Sequence, residues 1–222
     1  MKANIAEQIK RISDTLPCGV TLIAVSKYHP ADAVMQAYEA GQRDFGESKA
    51  QDLVKKHDIL PDDIKWHFIG HLQSNKIKYI APFVHLIHSI DSYKLLQEVN
   101  RHGEKQNRRI ACLLQIHIAQ EETKFGFTPD ECMEMLSNNE WQSLKNVEIR
   151  GIMCMASNTD DESQIADEFS KVQMLFNNIK EKFFAGNDSF NILSAGMSDD
   201  YPIAIKFGSN HIRVGSKIFS AE

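Results

Sequence analysis

A lysine directly behind a buried strand is the first residue here whose position suggests chemistry. Residues 20–25 (VTLIAV) form an apolar, β-branched run of strand length. Ser26 and Lys27 follow, and Pro30 stops the strand and opens a helix. Desolvation at a strand end frees an amine as a nucleophile toward an aldehyde. A lysine stem snorkelling into water explains the same placement, and this stretch alone leaves both readings open. Near the other end stand two polar clusters, Ser194-Ala195-Gly196-Met197-Ser198 and Arg213-Val214-Gly215-Ser216. Hydroxyls, bare backbone N–H groups and a guanidinium are the donors a phosphate needs. Helix capping by Ser198 and Ser216 is the plain alternative. His67 and His71 have the i, i+4 spacing of a zinc pair, but Phe68, Ile69 and Gly70 lie between them. No Glu intervenes and Gly70 breaks the helix that such a pair requires. No metal site is therefore expected, and His67 is read as a core or pocket-wall residue within a strand.

Around these residues, strand and helix patterns alternate regularly. After an amphipathic helix over residues 1–16, strands are expected at 20–25, 43–46, 64–69, 83–89, 109–119, 147–155, 190–193 and 211–214. Helical patterns separate them, at 30–40, 47–57, 73–82, 93–103, from 128 onward, 160–184 and 199–207. Thr128-Pro129 reads as a cap followed by proline at the first helical position. Eight strand–helix units predict a single α/β domain over residues 1–222, a (β/α)8 TIM barrel with an extra N-terminal helix. A doubly wound sheet is the alternative, but no GxGxxG turn follows the first strand. Barrels carry their chemistry at the carboxyl ends of the strands and often hold phosphate after strands seven and eight. Both polar clusters fall there, facing the strand-one lysine. A phosphate anchor opposite an amine suggests a phosphorylated aldehyde, of which pyridoxal phosphate is the common example.

Bulk composition narrows the classes further. The 222 residues are 42% hydrophobic and 25% charged, with net charge −5. Acidic and basic residues are mixed along the chain, which gives no electrostatic reason to expect nucleic acid or an anionic membrane as partner. No apolar run spans a bilayer, and the N-terminal segment is too charged for a secretory signal. Cys18, Cys112, Cys132 and Cys154 are scattered, as in a cytoplasmic protein with reduced thiols; Cys112 and Cys154 are expected in core strands.

Longer motifs carry a family resemblance. AVSKYHP (24–30), FGES (45–48), WHFIGHLQSNK (66–76), HSIDS (88–92), KFGF (124–127) and GIMCM (151–155) run along the chain in that order. LSAGMSDDYPIAIKFGS (193–209) and IRVGSKIF (212–219) complete the series. With these motifs the chain resembles the pyridoxal phosphate homeostasis proteins, whose barrel is similar to that of alanine racemase. The resemblance implies that Lys27 forms a Schiff base with pyridoxal 5'-phosphate, and that Met197, Ser198, Gly215 and Ser216 hold its phosphate. It further implies that Arg213 faces the pyridine nitrogen, and that Ser48 and His67 belong to the cofactor pocket. Three positions depart from the family pattern: Ser48 stands for a usual Asn, His117 for a usual Asn, and Ala195 for a usual Met. The implied role is intracellular vitamin B6 homeostasis and amino-acid balance without turnover and without catalytic residues. Apo-enzymes would be transient recipients, and the chain would be a monomer. No second domain is expected after strand eight, where alanine racemase carries one. The alternative is a low-activity pyridoxal-phosphate-dependent amino-acid racemase or lyase. Lys76 or Lys78 as a second cofactor position competes with the simpler reading of solvated helix lysines.

Overall fold

The computed structural model describes residues 4–118 and 125–219. Lys124 of the KFGF motif and Ala119, expected at the end of the fifth strand, lie outside them, as do the first three and last three residues. Eight parallel strands pair in chain order and close into a barrel. They are β1 (Thr21–Val25), β2 (Asp44–Glu47), β3 (Lys65–Phe68), β4 (Leu86–Ile90), β5 (Ile110–His117), β6 (Val147–Met155), β7 (Ile192–Ser194) and β8 (His211–Val214). Closure is the β1–β8 pairing, from Thr21↔His211 to Ala24↔Val214. Helices α1 (Ile5–Ser13), α2 (Ala31–Glu39), α3 (Ala50–His57), α4 (Ile77–Ile80) and α5 (Tyr93–Lys105) come in the first half. The second half contributes α6 (Pro129–Ser137), α7 (Glu162–Phe183), α8 (Tyr201–Lys206) and α9 (Ser216–Phe219).

Local chemistry explains most boundaries. Thr128 caps α6 and Glu131 reciprocates, with Pro129 in the first turn. Asn4 and Glu7 form the same box on α1, so this helix opens at Ile5. The expected fourth strand begins too early: Phe83 and Val84 both donate backbone hydrogen bonds to Ile80 in a turn, and Phe83 stacks on His57 with 3.7 Å between ring centroids. Its apolarity serves helix-to-turn packing, and the strand starts at Leu86.

Strand alternation divides the side chains into two layers. Outward residues such as Phe45, Trp66, Phe68 and Ile87 join the large core beneath the helices. Inside the barrel a small apolar plug of Leu86, Leu113, Met153 and Ile192 packs separately. Cys112 and Cys154 are buried in β5 and β6 as expected. Burial pushes the Cys154 thiol up to about 12, so it is not a nucleophile near neutrality. Among the described residues no helix is long and apolar enough to cross a membrane.

Candidate cofactor-binding site

The carboxyl end of β1 turns sharply. His29 N–H donates to the Ser26 carbonyl (3.1 Å), and Tyr28 takes a left-handed φ of 70°. Such a φ is costly for a residue with a Cβ and marks a corner held by its surroundings. What holds it is a buried polar cluster. Lys56 Nζ donates to the Ser26 carbonyl (2.8 Å) and pairs with Glu47, whose carboxylate also accepts the Ser26 hydroxyl (2.6 Å). Ser26, Glu47 and Lys56 are all buried. The available signal was spacing: Ala50, Leu53 and Lys56 recur every three residues and share the buried face of α3.

Lys27 itself is exposed. The desolvation considered for a strand-end lysine is therefore not what the fold provides: burial stops at Ser26, and Lys27 occupies the outer corner of the turn. Its ammonium lies 5.8 Å from the Tyr28 ring centroid. Lys27 borders a cavity of about 550 Å³ at the carboxyl ends of the strands. Met197, Ser198, Gly215 and Ser216 line the same cavity, as do Ser48 and Arg213. Seven of the eight residues expected at a pocket thus meet in one place.

The donors are arranged locally. Met197 N–H donates to Asp200 and fixes the turn after β7, while Gly215 N–H points to Ser198 Oγ (3.4 Å). A Cβ on Gly215 would come within 3.1 Å of the Val25 carbonyl oxygen, so glycine lets β8 approach β1 at this point. Ser216 and Lys217 open α9, and first-turn N–H groups have no intrahelical acceptor. Arg213 is buried and held by two bonds, Nη1 to Ser194 Oγ (2.7 Å) and Nη2 to the Cys154 carbonyl (2.8 Å).

The eighth residue, His67, does not line the cavity. It points into the barrel below it, where its Nδ1 meets His88 Nε2 (2.9 Å) and its Nε2 meets Asp44 Oδ1 (3.0 Å). His88 Nδ1 continues to Ser194 Oγ (3.0 Å) and thereby to Arg213. Alternation on β3 is the reason, since Trp66 and Phe68 take the outer face and His67 the inner one. Ala195 and His117, two of the departures, are also absent from the lining; His71 and Met155, which follow or end their strands, belong to it, as do Gln115 and Phe125, which no sequence motif marked for the cofactor. His71 Nδ1 lies 3.2 Å from Asp91 Oδ2. Lys76 and Lys78 sit over the Tyr79 ring and do not line the cavity.

The interior histidines make the fold acid-sensitive. Burial, then the neighbouring His67, lowers His211 from 6.5 to about 4, and the same causes hold His88 well below its ordinary value. In the unfolded chain both accept a proton near 6.5, so falling pH between about 6.5 and 4 favours unfolding. The urea midpoint is expected to fall across that window, and His211→Gln to flatten the fall. An equal slope in wild type and variant would rule this origin out.

Comparison with known proteins follows the same outline. The family profile of the alanine racemase N-terminal domain matches residues 2–222. The pyridoxal phosphate homeostasis protein of Schizosaccharomyces pombe is 40% identical over 207 residues, covering 91% of this chain and 84% of that protein. That of Helicobacter pylori strain J99 is 38% identical over 202 residues, covering 90% and 87%. The structure of PipY from Synechococcus elongatus PCC7942 with PLP bound is similar at a TM-score of 0.89 and 33% identity, covering 97% of this chain and 100% of PipY. In fold, motifs and extent, the chain belongs to the alanine racemase N-terminal domain family.

Proposed function

We propose that this chain binds pyridoxal 5'-phosphate at the barrel mouth, anchored covalently through Lys27, and keeps it available for vitamin B6 and amino-acid balance without turning over a substrate. The observation that carries this reading is the convergence of Lys27, Ser198, Gly215, Ser216 and buried Arg213 on one cavity. The donor set fits the cofactor: an amine for its aldehyde, hydroxyls and backbone N–H groups for its phosphate, and a guanidinium for its ring. The cavity of about 550 Å³ suits a small molecule. Relatives named for pyridoxal phosphate homeostasis and a PLP-bound PipY support the same assignment.

When bound, the cofactor supplies an electrophilic carbon and an electron-withdrawing ring. Arg213 would face the ring nitrogen of the bound cofactor, and its permanently charged guanidinium would keep that nitrogen unprotonated and restrict the site to weak electron withdrawal. Ser26, Glu47 and Lys56 hold the turn that presents the Lys27 amine. Proton transfer on both faces of a substrate carbon needs a second acid opposite Lys27. Tyr28 and Tyr201 are outside the cavity lining, which argues for holding and release, with apo-enzymes as recipients of the cofactor. On this reading the protein acts as a cytoplasmic monomer.

The absorption spectrum of the protein mixed with pyridoxal phosphate tests the anchor. Wild type is expected to show the visible band of a lysine-linked cofactor, and Lys27→Ala to lack it. Identical spectra would remove Lys27 from the site. A second reading, a low-activity racemase or lyase, draws on one observation: the His71–Asp91 pair at the cavity edge has the arrangement of an oriented base. Product from an amino acid, lost in His71→Ala, would favour it.

A further inference from the structure

The opposite end of the barrel gathers a set of side chains that the cofactor site does not use. Asp44 opens β2, His67 lies in β3 and His85 immediately precedes β4; one ligand-type atom from each falls within 4.8 Å of the others. His211, the first residue of β8, stands beside them, its ring centroid 6.4 Å from that of His67. We propose that this end of the barrel binds one divalent transition cation of the zinc class through Asp44, His67 Nε2 and His85, with His211 or water completing the shell.

The donor chemistry selects the ion. Two imidazoles and one carboxylate suit zinc, cobalt or nickel, whereas magnesium and calcium require mostly oxygen. Asp44 Oδ1 and His67 Nε2 lie 3.0 Å apart. Two ligands of a tetrahedral zinc, each about 2.0–2.1 Å from the ion, stand roughly 3.4 Å apart, so a small opening admits it. His85 is exposed on the segment before β4 and is able to swing the remaining ångström or so. The outer shell is already built, because the second nitrogen of His67 is held by buried His88 at 2.9 Å, as a metal-bound imidazole requires. Lys65 and Arg150 place positive charge near the same end, acting on Asp44 and on His85 and His211. Their repulsion acts on every divalent cation alike, so an ion held here must be one that forms strong bonds to nitrogen.

Occupancy would also be felt at the other end of the barrel. With Asp44 as terminal acceptor, the chain of donors runs one way. Arg213 donates to Ser194, Ser194 O–H to His88 Nδ1, His88 Nε2–H to His67 Nδ1, and His67 Nε2–H to Asp44. A cation on His67 Nε2 moves the His67 proton to Nδ1, which then donates to His88 Nε2. The His88 proton moves to Nδ1 and donates to Ser194. Each ring keeps one proton and exchanges the nitrogen that carries it. Ser194 is the residue that holds Arg213; the cation reverses the His88–Ser194 bond behind it, and Ser194 Oγ, then accepting from both His88 and Arg213, turns its own proton away from His88.

The test uses tag-free, chelator-stripped protein titrated with Co²⁺, followed by displacement with Zn²⁺. One Co²⁺ per chain with an intense visible d–d band is expected. His85→Ala and Asp44→Asn are expected to weaken binding at least tenfold, while His102→Gln binds as wild type does. Thermal melts verify that each variant is folded. In the zinc-loaded protein, nitrogen-15 spectra are expected to show the His67 proton on Nδ1, against Nε2 in the stripped protein. Absence of saturable binding, or equal binding by wild type, His85→Ala and Asp44→Asn, overturns the proposal.

Discussion

Glu47→Ala is expected to destabilise the protein by about 3–5 kcal/mol, the loss typical of removing one partner from a buried ion pair. Lys56 would then remain buried with only the Ser26 carbonyl to bond, and Ser26 Oγ would lose its acceptor. For a domain of this size that loss corresponds to a fall in Tm on the order of 10 °C. Adding Lys56→Met to the variant removes the stranded charge and is expected to recover much of the stability, because the cost belongs to the unpaired ammonium. The double variant still lacks the grip on the Ser26 carbonyl, so the turn carrying Lys27 and the strained Tyr28 stays loose. Recovered melting with slower capture of pyridoxal phosphate would separate the two roles. A Glu47→Ala melting temperature within a degree of wild type would mean that the cluster does not hold the β1 corner.

Gly151→Ala is the second large effect, and here backbone geometry and space act together. Gly151 has a φ of +153°, a conformation L side chains rarely adopt, worth about 1–3 kcal/mol of strain. Its missing Cβ faces the backbone carbonyl of Ile192 in the neighbouring strand, at a separation no real Cβ contact reaches. Relief requires β6 and β7 to part, adding about 1–3 kcal/mol of overpacking cost. The position sits at a register shift: Cys112 pairs with Ile149 and Leu113 with Gly151, so Arg150 is the extra residue of a bulge. Spreading β6 from β7 also displaces Ser194, and with it the support of Arg213. The denaturant midpoint of Gly151→Ala is expected to fall well below that of Gly186→Ala. Gly186 shares a positive φ (75°) but has open space around it, so only the backbone strain applies there. Equal midpoints would show that strand crowding has no part.

Features of local origin are legible in the order of residues alone. Hydrophobic runs bounded by turn residues specify β6 over residues 147–155 and β8 over residues 211–214, and Thr128-Pro129 marks the start of α6. Regular strand–helix alternation leaves few topologies besides a closed parallel barrel. Lys27, Ser198, Arg213, Gly215 and Ser216 each follow or end a strand, and closure brings all strand ends to one rim, so their meeting in one cavity was readable.

Which neighbour each polar side chain finds is set by how the barrel closes. Lys27 sits in the open because the burial of β1 ends at Ser26. Lys56 is buried because α3 turns that face onto Glu47, nine residues earlier in the chain. His67 leaves the cavity for the barrel interior because one step along a strand changes the face, and its partners Asp44 and His88 come from the two adjacent strands. Ser194 meets His88 across 106 positions of sequence. Such pairings depend on inter-strand register and on the size of what fills the barrel, quantities that no local pattern of residue types encodes.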